Sequence, residues 1–119
     1  VIEQYRKQIE AALEYAGGSH AFDDIAEGVA SGRFQMWNGP QSVMITEVLE
    51  SPREKAVNVF LAGGNLAELE AMEPLVCAFG RTRGCALIYM TGRRGWERSF
   101  LTSRAGWEDK RLVVLEKRL

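Results

Sequence analysis

Apolar residues at Ile2, Tyr5, Ile9, Leu13 and Ala16 recur at helical spacing, and Gly17-Gly18 then breaks the pattern, which predicts a first amphipathic helix over 2–16. Phe22, Ile25, Ala26 and Val29 repeat at i, i+3, i+4 and i+7 before Gly32, giving a second short helix with Ser19 as its cap and His20 at its start. From Phe34 the period shortens to that of strands. Residues 34–37 form one strand, Asn38-Gly39-Pro40 a turn, and the β-branched stretch 42–49 a second strand. The polar segment 51–55, with its proline, is a second hairpin turn into a strand over 56–62. Leu66, Leu69, Met72, Val76 and Phe79 then make the apolar stripe of a helix, in which Pro74 predicts a kink or a division into two segments. A strand over 85–91, a short helix carrying Trp96 and Phe100 and closed by Gly106, and a last strand over 112–115 complete the pattern. The order α, α, β, β, β, α, β, α, β predicts one α+β domain over 1–119. Its sheet is mixed but mainly antiparallel, with one parallel βαβ step at 56–89 and helices on both faces.

Composition narrows the class. With 46% apolar and 26% charged residues over 119 positions, the chain has the balance of a soluble globular protein with one core, and its apolar runs are too short to span a bilayer. No targeting signal is visible, which implies a cytoplasmic protein. Cys77 on the apolar side of the crossover helix and Cys85 at a strand start are expected to be reduced core thiols. The formal net charge of −1 conceals a polarity. Residues 1–80 hold 5 Lys/Arg against 12 Asp/Glu, a balance of −7, and residues 81–119 hold 10 against 4, a balance of +6. No ladder of aromatic and basic residues accompanies the positive half, so no specific nucleic-acid signal is present. His20 and the two cysteines lack metal-ligand spacing, and no metal is expected. Trp37, Trp96 and Trp107 are expected to fill the space between sheet and helices.

The one stretch with the makings of a site is the corner Gly63-Gly64-Asn65, between strand and crossover helix. Adjacent glycines let the backbone leave the strand at angles closed to other residues, and the amides of a helix start suit an anion. The same residues also support a purely structural turn. Asn65 with Glu68 forms a capping box that would occupy those amides, and Glu68 and Glu70 would repel a phosphate near the first turn.

The chain resembles the GCN5-related N-acetyltransferase superfamily in its element order, in the strand, loop and helix start at 57–65, and in the stretch 92–107 that ends in Gly106-Trp107 where the family commonly has Gly-Phe. The stretch 84–98 further resembles small acetyltransferase-like proteins of tailed bacteriophages. The resemblance implies a slot between two diverging strands that admits acetyl coenzyme A, with its pyrophosphate on Gly63, Gly64, Asn65 and Leu66 and with Arg93 and Arg94 adding positive charge. The family's loop leads with Arg or Gln and spaces its glycines differently from Leu61-Ala62-Gly63-Gly64-Asn65. Thr102 occupies the position of the family's acid tyrosine, and Asn58 that of its carboxylate base, leaving Glu47 and Glu50 as the nearest substitutes for a catalytic base.

Two functions follow from these residues. One is an acetyl-CoA-dependent N-acyltransferase with a degenerate cofactor loop, acting on a small-molecule or protein amine. The other is a non-catalytic protein of the same fold that serves as a structural or assembly component, with itself or other virion proteins as partners and the phage virion as its location.

Overall fold

The computed structural model describes residues 1–92 and 94–119, without the side chains of Arg94 and Glu97. A single 3-10 turn, Ile2–Tyr5, leads into α1 (Arg6–Leu13), followed by α2 (Phe22–Ala30). Three antiparallel strands come next: β1 (Phe34–Asn38), β2 (Val43–Ser51) and β3 (Glu54–Gly63). Helix α3 (Leu66–Thr82) crosses over to β4 (Leu87–Met90), which pairs parallel with β3 from Ala56↔Leu87 to Val59↔Met90. A 3-10 segment, Arg94–Arg98, and a short helix α4 (Phe100–Ser103) follow. The result is an α+β fold around a four-stranded mixed sheet in the order β1-β2-β3-β4.

The sheet separates two apolar clusters. On one face α1 and α2 bring Tyr5, Ile9, Phe22 and Ile25 against Phe34, Val43, Ile45 and Leu61. On the other, α3 and α4 bring Leu69, Met72, Val76, Phe100 and Leu101 against Met44, Val57 and Val59. Alternation along a strand would put Leu61 on the same face as Val57 and Val59. It does not, because the β2–β3 register shifts between Ile45 and Thr46: Thr46 faces Val59 while Ile45 faces Leu61, so Phe60 is an extra residue. The bulge turns the end of β3 over and lets one strand serve both cores. Trp37, Trp96 and Trp107 all pack against the α3 side, with Trp37 edge-on to Phe79 at 5.5 Å.

Several local expectations are corrected. The first helix is shorter than 2–16, since α1 ends at Leu13 and a turn runs on to Gly17 and Gly18, both at positive φ. Ser19 does not cap α2. Its hydroxyl lies 2.7 Å from His20 Nδ1, and the cap is Ala21, whose amide donates to the Asp24 carboxylate at 2.8 Å. His20 stacks its ring on Phe60 and Phe34 instead of capping. Pro74 does not divide α3, which runs unbroken for 17 residues. Leu69 and Met72 before the proline and Val76 after it are buried in the same cluster, and that anchoring outweighs the lost hydrogen bond. The β4 strand is shorter than 85–91, and the following helix resolves into a 3-10 segment and α4, with the Ser99 hydroxyl accepting from the Leu101 amide at 3.2 Å. The last predicted strand, 112–115, is not one. Leu112, Val113, Val114 and Leu115 are 76–89% exposed, because no strand edge lies beside them.

Candidate functional site

The Gly63-Gly64-Asn65 corner joins the end of β3 to the start of α3, with its outer side exposed and its inner side hydrogen-bonded to the β1–β2 turn. Asn65 takes up the extended conformation of an N-cap, and its side-chain Oδ1 accepts from the amides of Ala67 at 2.9 Å and Glu68 at 3.3 Å. The Asn65 amide itself donates to Ser42 Oγ at 2.8 Å, and Ser42 is completely buried. Beside it the Gln41 amide donates to Glu68 Oε1 at 2.9 Å, and the Gln41 carbonyl accepts from Gln8 Nε2 at 3.1 Å. Three separate pieces of chain, α1, the β1–β2 turn and the first turn of α3, are therefore stitched through one knot.

Gly64 is where this knot closes. Its φ of +119° is a conformation that side-chain-bearing residues rarely adopt, and a Cβ there would lie 2.5 Å from the Gln41 carbonyl oxygen and 2.6 Å from Ser42 Cα and Oγ. Tyr5 fastens the same turn from below: its hydroxyl donates to the Gly39 carbonyl at 2.7 Å and accepts from Asn38 Nδ2 at 3.0 Å.

Of the residues that the sequence assigns to a coenzyme, Gly63, Gly64, Asn65 and Leu66 are contiguous at this corner, while Arg93 lies outside the described residues, as does the side chain of Arg94. Glu68 is turned onto the Gln41 amide, so its carboxylate closes the mouth of the helix start. Glu70 is a different case from the one expected. Arg104 grips both its oxygens at 2.7 and 2.9 Å, and this hydrogen-bonded pairing holds the Glu70 carboxyl below its ordinary range, so its charge is matched within the chain. A pyrophosphate would need the amides of the first turn, a yielding backbone and net positive charge. The Asn65 oxygen, the buried Ser42 hydroxyl and the Glu68 carboxylate already accept from the Ala67, Glu68, Asn65 and Gln41 amides, so a pyrophosphate using those donors would have to displace acceptors of the chain itself.

The base candidates are separated. Glu47 is half-buried in mid-strand on the α1/α2 face of the sheet and accepts from Asn58 Nδ2 at 2.9 Å. Glu50 is exposed near the β2–β3 turn and pairs with Lys55 at 3.6 Å, so the two carboxylates do not form one site. Thr102 is on the exposed side of α4 and donates to the Ser99 carbonyl. Between β3 and β4 the ladder ends at Val59↔Met90, where β4 itself ends, while β3 continues through 60–63 beyond it.

Two features were missed in the sequence. Glu73 is half-buried, accepts from Trp107 Nε1 at 2.7 Å, and borders a cavity of about 10 Å³ between α3, the sheet and α4. Cys77 and Cys85 line one recess of about 100 Å³ together with Gly80 and Arg81. Burial, reinforced by the Glu73 carboxylate, pushes the Cys77 thiol up. The i, i+4 spacing of Glu73 and Cys77 was readable, but their pairing with Trp107 and Cys85 depends on the crossover.

No cluster of three or more His, Cys, Asp or Glu able to hold a metal occurs among the described residues, and no helix there is long and apolar enough to cross a membrane. No family model and no curated protein matches the chain. Solved structures that share its fold include two of the protein TTHA1254 from Thermus thermophilus. The crystal structure of a point mutant superposes with a TM-score of 0.68 at 14% identity, and the wild type with 0.62 at 13%. Each comparison covers 98% of this chain and 92% of the Thermus protein. At that identity the likeness extends to the fold and stops there.

Proposed function

We propose that this chain is a non-catalytic protein with an acetyltransferase-like fold that acts by binding, as a structural or assembly component, and that it carries no working acetyl coenzyme A site. The observation that supports this reading most is the double acceptance by Asn65 Oδ1 of the Ala67 and Glu68 amides, with the Glu68 carboxylate on the neighbouring Gln41 amide. The Asn65, Ala67 and Glu68 amides that a pyrophosphate at this helix start would draw on already have acceptors. Gly64, wedged against Gln41 and Ser42, cannot move to release them without breaking the knot. The likeness of residues 84–98 to tailed-phage proteins makes a virion the setting we favour for such a component.

The test is thermal unfolding with acetyl coenzyme A. A site of micromolar affinity would stabilise the fold by roughly 4 kcal/mol at millimolar cofactor, raising the melting temperature by roughly 10 °C or more. No rise is expected; a rise of that size would overturn the proposal. A residual enzyme is the second reading, supported by the stretch 60–63 of β3 that runs on past the end of β4. It requires transfer of labelled acetyl to some amine and its loss in Glu47→Gln, whereas the binding reading expects no transfer in either protein.

A further inference from the structure

Two parts of this chain lack a partner, and they match each other. The first is the outer edge of β4. It is the last strand of the sheet, and among the described residues no strand lies beyond it. Its residues, Leu87, Ile88, Tyr89 and Met90, include no charge and no proline, the devices by which exposed edges usually discourage pairing. They are apolar on both faces. Ile88 and Met90 join the cluster under α3 and α4, while Leu87 and Tyr89 remain 47% and 40% exposed on the opposite face.

The second part is 112–115. Leu112, Val113, Val114 and Leu115 form an unbroken apolar run with two β-branched residues at its centre, a pattern suited to a strand with apolar neighbours on both faces rather than one. Such an edge is what β4 offers. The other free edge, β1, carries Gln35 and Asn38 and does not match. The run does not lie on its own β4. Trp107 is moored to α3 and α4 by Nε1 on Glu73 and by its amide on the Leu101 carbonyl at 2.9 Å. A tight turn follows, in which the Arg111 amide donates to Asp109 Oδ1 at 2.8 Å and Arg111 adopts a φ of 55°. That left-handed residue immediately precedes Leu112 and delivers the run into solvent.

We infer that the chain forms a twofold dimer in which 112–115 of each copy adds as a fifth strand to the β4 edge of the other. Exchange of identical segments closes on itself: each copy gives one strand and receives one, so both β4 edges and both 112–115 runs are used within the pair. Backbone amides and carbonyls of β4 gain ladder partners, and both exposed apolar groups leave water together. The inference stands on the edge and the run alone, so it does not depend on whether the Gly64 corner binds a cofactor.

Light scattering on the whole chain at micromolar concentration should give twice the 13.3 kDa chain mass, and a chain ending at Arg111 should give that mass once. Val113→Asp should also be monomeric, while its far-ultraviolet circular dichroism stays that of the parent. Hydrogen exchange supplies the direct readout: amides of 87–90 and 112–115 should be protected in the parent, and both sets should exchange faster in Val113→Asp, with 34–38 unchanged. A whole chain that is monomeric overturns the inference, including the case in which 112–115 is protected by folding onto its own β4. So does a dimer that survives removal of 112–119.

Discussion

The corner at Gly64 and the outer edge at β4 lie at opposite ends of the same crossover helix, and they differ in how their polar and apolar groups are satisfied. At the corner a set of donors is matched within the chain: Asn65, Ser42, Gln41, Glu68 and Gln8 bond to one another or their neighbours over distances of 2.8–3.4 Å. At the edge, Leu87 and Tyr89 of β4 are left exposed, as are the four apolar residues of 112–115. A glycine-rich strand-to-helix turn looks like a ligand site in a sequence because its backbone is free to adopt odd angles. Here that freedom has been used to seal the turn. The exposed apolar surface, where binding energy is still available, lies at the β4 edge of the sheet.

The contrast can be broken most directly at Gly64. Gly64→Ala should destabilise the fold by about 3 kcal/mol or more, since it adds a strained φ to a backbone clash. Urea unfolding that shows a loss below about 1 kcal/mol would mean that the corner yields and that a ligand could open it. For the same reason a bulkier change such as Gly64→Glu is a poor probe of cofactor binding, because it should unfold the protein first. Ser42→Ala leaves the Asn65 amide without its buried acceptor and should cost about 1–3 kcal/mol in the same assay. Asn65→Ala should cost about 1 kcal/mol, as for other helix caps, and it sharpens the comparison by uncovering two amides. If this variant alone gains a thermal shift with acetyl coenzyme A, the cap is what excludes the anion.

Smaller effects are expected on the far side of α3. The Cys77 thiol, raised by burial and Glu73, ionises less readily in the folded than in the unfolded chain. Stability should therefore fall as pH rises above the unfolded thiol's value of about 8.5, and Cys77→Ser should remove that slope. Glu70 has the opposite sign. Its carboxyl is lowered by Arg104, so the contribution is present above the unfolded carboxylate value and fades as pH falls through the folded one. The pair is exposed, and Arg104→Ala should narrow the acid side of the stability curve only slightly.

Periodicity disclosed most of the framework because apolar spacing is a local record of which face is buried. The two N-terminal helices, the meander, the crossover helix and the parallel β3–β4 step are all visible in the spacing of residues such as Ile25, Val57 and Leu69. Boundaries were harder. Pro74 read as a break because its cost is local, whereas the burial of Leu69 and Val76 that overrides it is not. The run 112–115 read as a strand because its composition is that of one; whether it becomes one depends on an edge that no residue in the run can specify.

The Asn65 cap and the amphipathic faces of α1, α2 and α3 needed nothing beyond the order of residues, but the capping box expected of Asn65 with Glu68 does not form: the Asn65 amide donates to Ser42 Oγ and the Glu68 carboxylate accepts from the Gln41 amide instead. Ser42 beneath Asn65, the Gln41 contact with Glu68, the Arg104 grip on Glu70 and the Trp107 bond to Glu73 came only with the tertiary structure, across separations of 23 to 34 residues. Hydrogen bonds and close packing act over a few ångströms in space, and only the folding of the sheet brings such distant positions within that range.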